Sequence, residues 1–118
     1  MISEYYLMIF ALMIGHAIAD YPGQGDFMAR GKNCKEPIPG VPWYTVLFNH
    51  SLIHAGFVWV ITTSPILALC ELTAHFAIDY GKCRFKLSFN LDQMLHLACK
   101  VLWAFIAVYM LKQTILGM

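Results

Sequence analysis

Charged side chains are scarce in this sequence. Lysine, arginine, aspartate and glutamate together make up 13% of the 118 residues, whereas about 25% is usual in soluble domains. Hydrophobic residues make up 59%, and the formal net charge is only +1. A nearly neutral chain lacks the basic surface that binds nucleic acid, so we expect no nucleic-acid partner. The composition is instead typical of a membrane protein whose main partner is the lipid bilayer.

Two further absences narrow the class of protein. The four cysteines show no Cys-x-x-Cys spacing, so no two of them are placed to clamp one metal ion, and we interpret them as free thiols. The N-terminus carries Glu4 and no lysine or arginine before the first apolar segment. A cleaved signal peptide begins with basic residues, so we predict that this segment is retained as a membrane span.

Four apolar segments have about the length that a membrane-spanning helix needs, roughly 17–25 residues. They cover about residues 3–20, 43–61, 65–80 and 92–111. Polar loops at 23–42 and 81–90 separate the first two spans and the last two, whereas residues 62–64 are too few for more than a tight connection. We predict a single transmembrane domain over residues 1–118, an all-α, integral membrane four-helix up-down bundle.

Histidine and aspartate recur in pairs four residues apart, the spacing that places two side chains on one helix face. Each pair lies near one end of a predicted span, and in an up-down bundle those four ends lie on the same side of the membrane. The residues are His16, Asp20, His50, His54, His75, Asp79, Asp92 and His96. The sequence therefore predicts one polar cluster that all four helices build.

Imidazole and carboxylate together suit a divalent metal, zinc first and iron or manganese next. Inward-facing side chains on facing helices are how metal sites in helical bundles are built. We predict that these eight residues supply the metal ligands. Since eight donors exceed the four that zinc usually takes, either two ions bind or some carboxylates orient the ligating imidazoles.

Basic residues are concentrated on the side of the cluster. Six of the eight lysines and arginines fall in the two polar loops there, namely Arg30, Lys32, Lys35, Lys82, Arg84 and Lys86. By the positive-inside rule the cluster faces the cytoplasm and both termini lie outside it. Arg30 and Lys82 are candidates for holding an anionic group near the site.

Glu71 and Lys100 lie deeper in their spans. Each is eight residues inward from an aspartate of the cluster, which places both about 12 Å below it at the rise of an α-helix. An isolated charge at that depth is costly, so we predict a buried ion pair. Trp103, by contrast, is predicted to be an interface anchor or to face lipid.

Three functions are compatible with these features. The leading hypothesis is a metal-dependent hydrolase of an anionic or lipid-linked substrate, in which a metal-activated water attacks. The alternative is a non-enzymatic accessory or structural subunit of a larger membrane complex, or a homo-oligomer, whose polar network holds the helices in register. A proton or metal-ion conduit is least favoured, because the outer halves of the spans are apolar.

Four motifs carry a resemblance to a known family. They are His-Ala-Ile-Ala-Asp-Tyr-Pro-Gly-Gln at 16–24, Asn-His-Ser-Leu-Ile-His at 49–54, Glu-Leu-Thr-Ala-His-Phe-Ala-Ile-Asp at 71–79 and Asp-Gln-Met-Leu-His at 92–96. With them the chain resembles an uncharacterised family of small bacterial and phage membrane proteins, domain of unknown function 3307. The resemblance implies an integral membrane protein of bacterial or phage origin and brings no established activity. We expect a multi-pass protein of the bacterial inner (cytoplasmic) membrane. A looser similarity, to inner-membrane proteins described as metal-dependent hydrolases, supports the hydrolase hypothesis by analogy.

Overall fold

A computed structural model describes all 118 residues, which form five α-helices and no strand. The helices are α1 (Ile2–Asp20), α2 (Gly25–Gly31), α3 (Trp43–Thr62), α4 (Pro65–Phe85) and α5 (Phe89–Phe105). A π-helical turn, Ile106–Met110, continues α5, and a 3-10 turn at Ile115–Gly117 follows. The prediction of an all-α protein is confirmed.

Serine side chains begin two of the long helices. Ser64 Oγ accepts a hydrogen bond from the Leu67 amide at 3.2 Å, with Pro65 in the first turn of α4. Ser88 Oγ accepts one from the Leu91 amide at 3.1 Å at the start of α5. Such caps satisfy amides that have no partner inside the helix.

The polar loop predicted at 81–90 is much shorter in the structure. Helix α4 continues to Phe85 and α5 begins at Phe89, so only residues 86–88 connect them. Lys82 and Arg84 lie in the last turn of α4, where positive charge interacts favourably with the helix dipole. Lys86 then adopts a left-handed conformation, with φ of 55°, and ends the helix. The prediction of a ten-residue loop was therefore wrong, because basic residues that mark a membrane boundary do not by themselves stop a helix.

The four long helices contact one another in a closed ring, in the order α1, α3, α4, α5 and back to α1. Short α2 packs on α3. One half of the ring is filled by apolar side chains, among them Met8, Leu12, Val58, Leu67 and Ala104. The other half contains the polar residues described below, so the two kinds of interior lie one above the other along the helices.

Three segments are long and apolar enough to cross a membrane: Ile2–Asp20, Trp43–Thr62 and Phe89–Gly117. Large apolar side chains cover their outer faces, for example Phe10, which is 59% exposed, and Trp59, which is 55% exposed. These surfaces fit contact with a lipid bilayer. Helix α4 has 21 residues but is not among these segments, because it also carries Glu71, Asp79, Lys82 and Arg84.

Candidate metal centre

The structure brings all eight predicted histidines and aspartates into one group, which we name the His/Asp cluster. The end of α1 supplies His16 and Asp20, and α3 supplies His50 and His54. Helix α4 supplies His75 and Asp79, and α5 supplies Asp92 and His96. The four-residue spacing keeps each pair on one helix face, and the ring of helices turns the four faces towards each other.

Asp20 is the meeting point for imidazoles of α1 and α3. Its Oδ1 lies 2.9 Å from His54 Nε2 and 3.3 Å from His50 Nε2, and its Oδ2 lies 3.1 Å from His16 Nε2. One carboxylate thus contacts three histidines. The side chain of Asp20 is 14% exposed, which places it at the edge of the cluster.

Asp79 has the same role towards α3, α4 and α5. Its Oδ1 lies 2.9 Å from His96 Nε2, and its Oδ2 lies 3.4 Å from both His50 Nε2 and His75 Nε2. Asp92 adds a further carboxylate, with Oδ1 3.4 Å from His96 Nε2. His50 contacts both Asp20 and Asp79 and so joins the two halves of the cluster.

The imidazoles are closely packed and shielded from solvent. The ring centroids of His54 and His75 are 3.7 Å apart, and those of His75 and His96 are 4.2 Å apart, both pairs stacked. His50, His54, His75 and His96 are at most 1% exposed. All the close contacts of these rings with aspartates use Nε2, while Nδ1 of His16, His50, His75 and His96 is buried without a hydrogen-bond partner.

Two sets of donor atoms in the cluster could hold a metal ion. In each set the ligand atoms lie within 4.8 Å of one another, and the sets are Asp20, His50, His54 and His75, and His75, Asp79 and His96. Three or four nitrogen and oxygen donors match what zinc takes from a protein. His75 belongs to both sets, so the two candidate sites share this residue.

Lys32 is a neighbour of the cluster that sequence reasoning assigned only to membrane topology. It lies directly after α2, and its Nζ is 3.3 Å from His50 Nε2 and 3.3 Å from Asp79 Oδ2. The Lys32 ammonium group therefore contacts the histidine that joins the two halves of the cluster and one of its two central aspartates. No spacing pattern could reveal this contact, because the fold of the connecting loop decides where Lys32 lies.

Gln93 is a second neighbour of the cluster that the spacing of the histidines and aspartates does not include. Its Nε2 donates to Asp92 Oδ2 at 3.1 Å and to Asp20 Oδ2 at 3.4 Å, and its Oε1 lies 3.2 Å from His16 Nε2. A signal was present, since Gln93 precedes His96 by three residues and so shares its helix face.

A cavity of about 590 Å³ opens beside the cluster. Its wall includes four carboxylates and three ammonium groups, those of Asp20, Glu36, Asp79, Asp92, Lys32, Lys35 and Lys82. Lys82 Nζ lies 3.7 Å from Asp92 Oδ2. Arg30, the other predicted anion-binding residue, does not line this cavity and instead contacts Asp26 at 3.3 Å on the exposed surface.

Glu71 and Lys100 lie in direct contact below the cluster. Lys100 Nζ donates to Oε1 of Glu71 at 2.6 Å and to Oε2 at 2.7 Å, and the two side chains are 0% and 2% exposed. Trp103 Nε1 is 3.5 Å from Glu71 Oε1, and Trp103 is only 7% exposed. The prediction that Trp103 faces lipid or the interface was therefore wrong, because its indole N–H turns towards the buried carboxylate.

The fold and the site together define a class: an all-helical protein with candidate membrane helices and a buried His/Asp group that could hold a metal. Within that class, the chain belongs to the family described as protein of unknown function (DUF3307), whose family model matches residues 8–116. The resemblance noted from the motifs is thereby confirmed. Neither the curated proteins nor the solved structures contain a match.

Proposed function

We propose that this protein is an integral membrane four-helix up-down bundle that binds a divalent metal ion, zinc first and iron or manganese next, in the His/Asp cluster. The observation that supports it is the convergence of Nε2 atoms and carboxylate oxygens from four helices into two compact donor sets. Both ligand types are ones that these metals prefer. The ligands are drawn from the eight residues of the cluster, and the carboxylates that do not ligate orient the imidazoles.

The arrangement of charge supports a bilayer around all four long helices, with residues 1–118 as a single transmembrane domain. Helix α4 turns its polar groups inward, since Glu71 and His75 are 0% exposed and the Asp79 side chain is 9% exposed. An inward-facing ionisable group is the arrangement that a membrane helix tolerates. Six of the eight lysines and arginines lie between α1 and α3 or between Asp79 and Asp92, at the end of the helices that carries the cluster. By the positive-inside rule, this distribution supports a cluster at the cytoplasmic face of the bacterial inner membrane, with both termini on the other side.

Hydrolysis of an anionic or lipid-linked substrate is the chemistry that this site supports best. A divalent ion with an open coordination position lowers the pKa of water and stabilises negative charge on a reacting oxygen. Lys32, Lys35 and Lys82 line the cavity beside the cluster, where Lys32 and Lys82 also contact Asp79 and Asp92. Their ammonium groups would hold an anionic group such as a phosphate. An aspartate that does not ligate the ion would accept the proton of the attacking water.

Elemental analysis of the detergent-purified protein tests the metal site. The wild-type protein is expected to carry about one or two zinc, iron or manganese ions per chain, the number that eight donors can hold. His50→Ala removes the imidazole that contacts both Asp20 and Asp79 and is expected to lose most of this metal. Asn49→Ala is the matched control, because Asn49 is its neighbour on α3, is exposed and bonds only the Thr45 carbonyl.

The alternative is a non-enzymatic accessory or structural subunit of a larger membrane complex, or a homo-oligomer. The observation that favours it is that the cluster already holds direct contacts of 2.9 Å, between Asp20 and His54 and between Asp79 and His96. Such contacts can join helices without a metal. Two results together would replace the metal proposal with this one. The wild-type protein would contain no metal, and the His50→Ala variant would unfold more easily than the Asn49→Ala variant.

A further inference from the structure

Two of the free cysteines lie against each other at the rim of the cavity. Cys34 Sγ is 2.6 Å from Cys83 Sγ, although the two residues are 49 positions apart in the chain. Two cysteine side chains in direct contact meet the proximity that a disulfide bond requires. The other two cysteines, Cys70 and Cys99, have no such contact.

The surroundings hold the two thiols in place. The Cys34 amide donates to Cys83 Sγ at 3.0 Å, and Cys83 Sγ lies 3.2 Å from Asn33 Oδ1. Asn33 Oδ1 also accepts the amides of Lys35 and Glu36, at 2.9 and 3.1 Å, which shapes the loop around Cys34. The pair is therefore preorganised by contacts that do not involve the His/Asp cluster.

The pair joins the loop after α2 to the last turn of α4. The hydrogen bonds between this loop and α4 come from these sulfur contacts and from Lys32 Nζ to Asp79 Oδ2. Lys32 is only two residues from Cys34, and Cys83 itself lines the cavity. A covalent bond between the sulfurs would thus hold Lys32 against the cluster, whereas two free thiols place no covalent constraint on the loop.

We propose that Cys34 and Cys83 form a reversible disulfide that controls access to the His/Asp cluster, with a peroxide as the oxidant. One thiolate attacks the O–O bond and becomes a sulfenic acid, and the second thiol displaces water from that sulfur. In total two thiols and one hydrogen peroxide give one disulfide and two waters, and the sulfurs lose the two electrons that reduce the O–O bond. A dithiol reductant reverses the reaction by exchange.

The acidity of the thiols affects how readily the pair is oxidised, because the thiolate is the form that attacks a peroxide. Burial, together with the neighbouring Cys83 thiol, raises the pKa of Cys34 above its ordinary value. A raised pKa lowers the thiolate fraction and so slows the attack, and we expect the disulfide to form only at elevated peroxide concentration.

The full chain in detergent tests whether the disulfide forms. After treatment with hydrogen peroxide, the wild-type protein is expected to lose two of its four maleimide-reactive thiols while remaining a single chain, and to regain both with dithiothreitol. Cys83→Ser abolishes this crosslink, and the matched control Cys70→Ser, on the same helix, retains it. A protein that keeps all its thiols, or that crosslinks through Cys70 or Cys99 instead, would overturn the proposal.

The effect on access is measured at Lys32. In the oxidised wild-type protein, acylation of Lys32 by a water-soluble amine reagent is expected to be about tenfold slower than in the reduced protein, because the crosslink opposes local opening of the loop. Exposed Lys35 serves as the internal reference. A disulfide that forms and leaves the ratio of Lys32 to Lys35 labelling unchanged would refute control of access. The proposal rests on the proposed function only in taking the His/Asp cluster to be a metal site. Neither the thiol count nor the Lys32 labelling depends on bound metal, so elemental analysis would reveal the absence of a metal site independently of these two measurements.

Discussion

The two halves of the helix ring are stabilised in different ways. In the apolar half, residues such as Met8, Leu12 and Ala104 are at most 1% exposed and pack without polar partners. In the other half, Asp20 and Asp79 each contact three histidines. The ion pair of Glu71 and Lys100 lies between them. The comparison shows that apolar packing holds the four helices together in one half, whereas directional polar contacts build the candidate metal site in the other.

Breaking the ion pair at the boundary is expected to have the largest effect on stability. Lys100→Met leaves the Glu71 carboxylate buried without its partner, which typically costs about 3–5 kcal/mol. Thermal unfolding in detergent, followed by circular dichroism, measures the change. The double variant Glu71→Gln with Lys100→Met removes both charges and is expected to recover most of the loss. Equal stability of the single variant and the wild type would show that the pair is not a stabilising contact.

A cavity in the apolar half is expected to reduce stability while leaving the site intact. Leu12 is 1% exposed in the apolar cluster, so Leu12→Ala should cost about 2 kcal/mol, the low end for soluble cores. The value is low because, on unfolding in a membrane, the Leu12 side chain is transferred from the protein interior to lipid rather than to water. Phe10→Ala, on the 59% exposed face of the same helix, is the control. Loss of bound metal in Leu12→Ala would contradict the separation of the two halves.

Asp79→Asn is expected to have the smallest effect on stability of the three changes but a large effect on metal binding. The amide keeps the shape of the carboxylate but removes its charge from three histidines, which should cost about 1–2 kcal/mol. Metal content, measured by elemental analysis, is expected to fall by most of its wild-type value. Asp26→Asn is the matched control, since its side chain is 82% exposed. Full metal content in Asp79→Asn would remove Asp79 from the proposed ligands.

Much of the arrangement follows from local rules. Helix periodicity puts residues four apart on one face, and the lengths of the apolar segments indicate where the long helices lie. The eight residues of the cluster therefore follow from the sequence alone. Counting eight residues inward from Asp79 and Asp92 likewise singled out Glu71 and Lys100. Each of these inferences needs only the geometry of a single helix and the cost of an isolated charge in an apolar interior.

The contacts that involve loops and side-chain orientation could not be found in this way. Lys32 reaches His50 because of the path of the chain after α2, and Trp103 turns inward because Glu71 offers an acceptor. Cys34 and Cys83 meet although no motif relates them.

By itself, then, the sequence determined an all-α chain of its family, with apolar helices and a polar face on each, because helix formation and amphipathicity depend on neighbours three and four residues apart. Only the tertiary structure decided which donor atoms share a space, which lysine touches them and which thiols pair. Those distances depend on how separate helices and loops pack against one another. Residues far apart in the chain carry no local sequence pattern that encodes this packing.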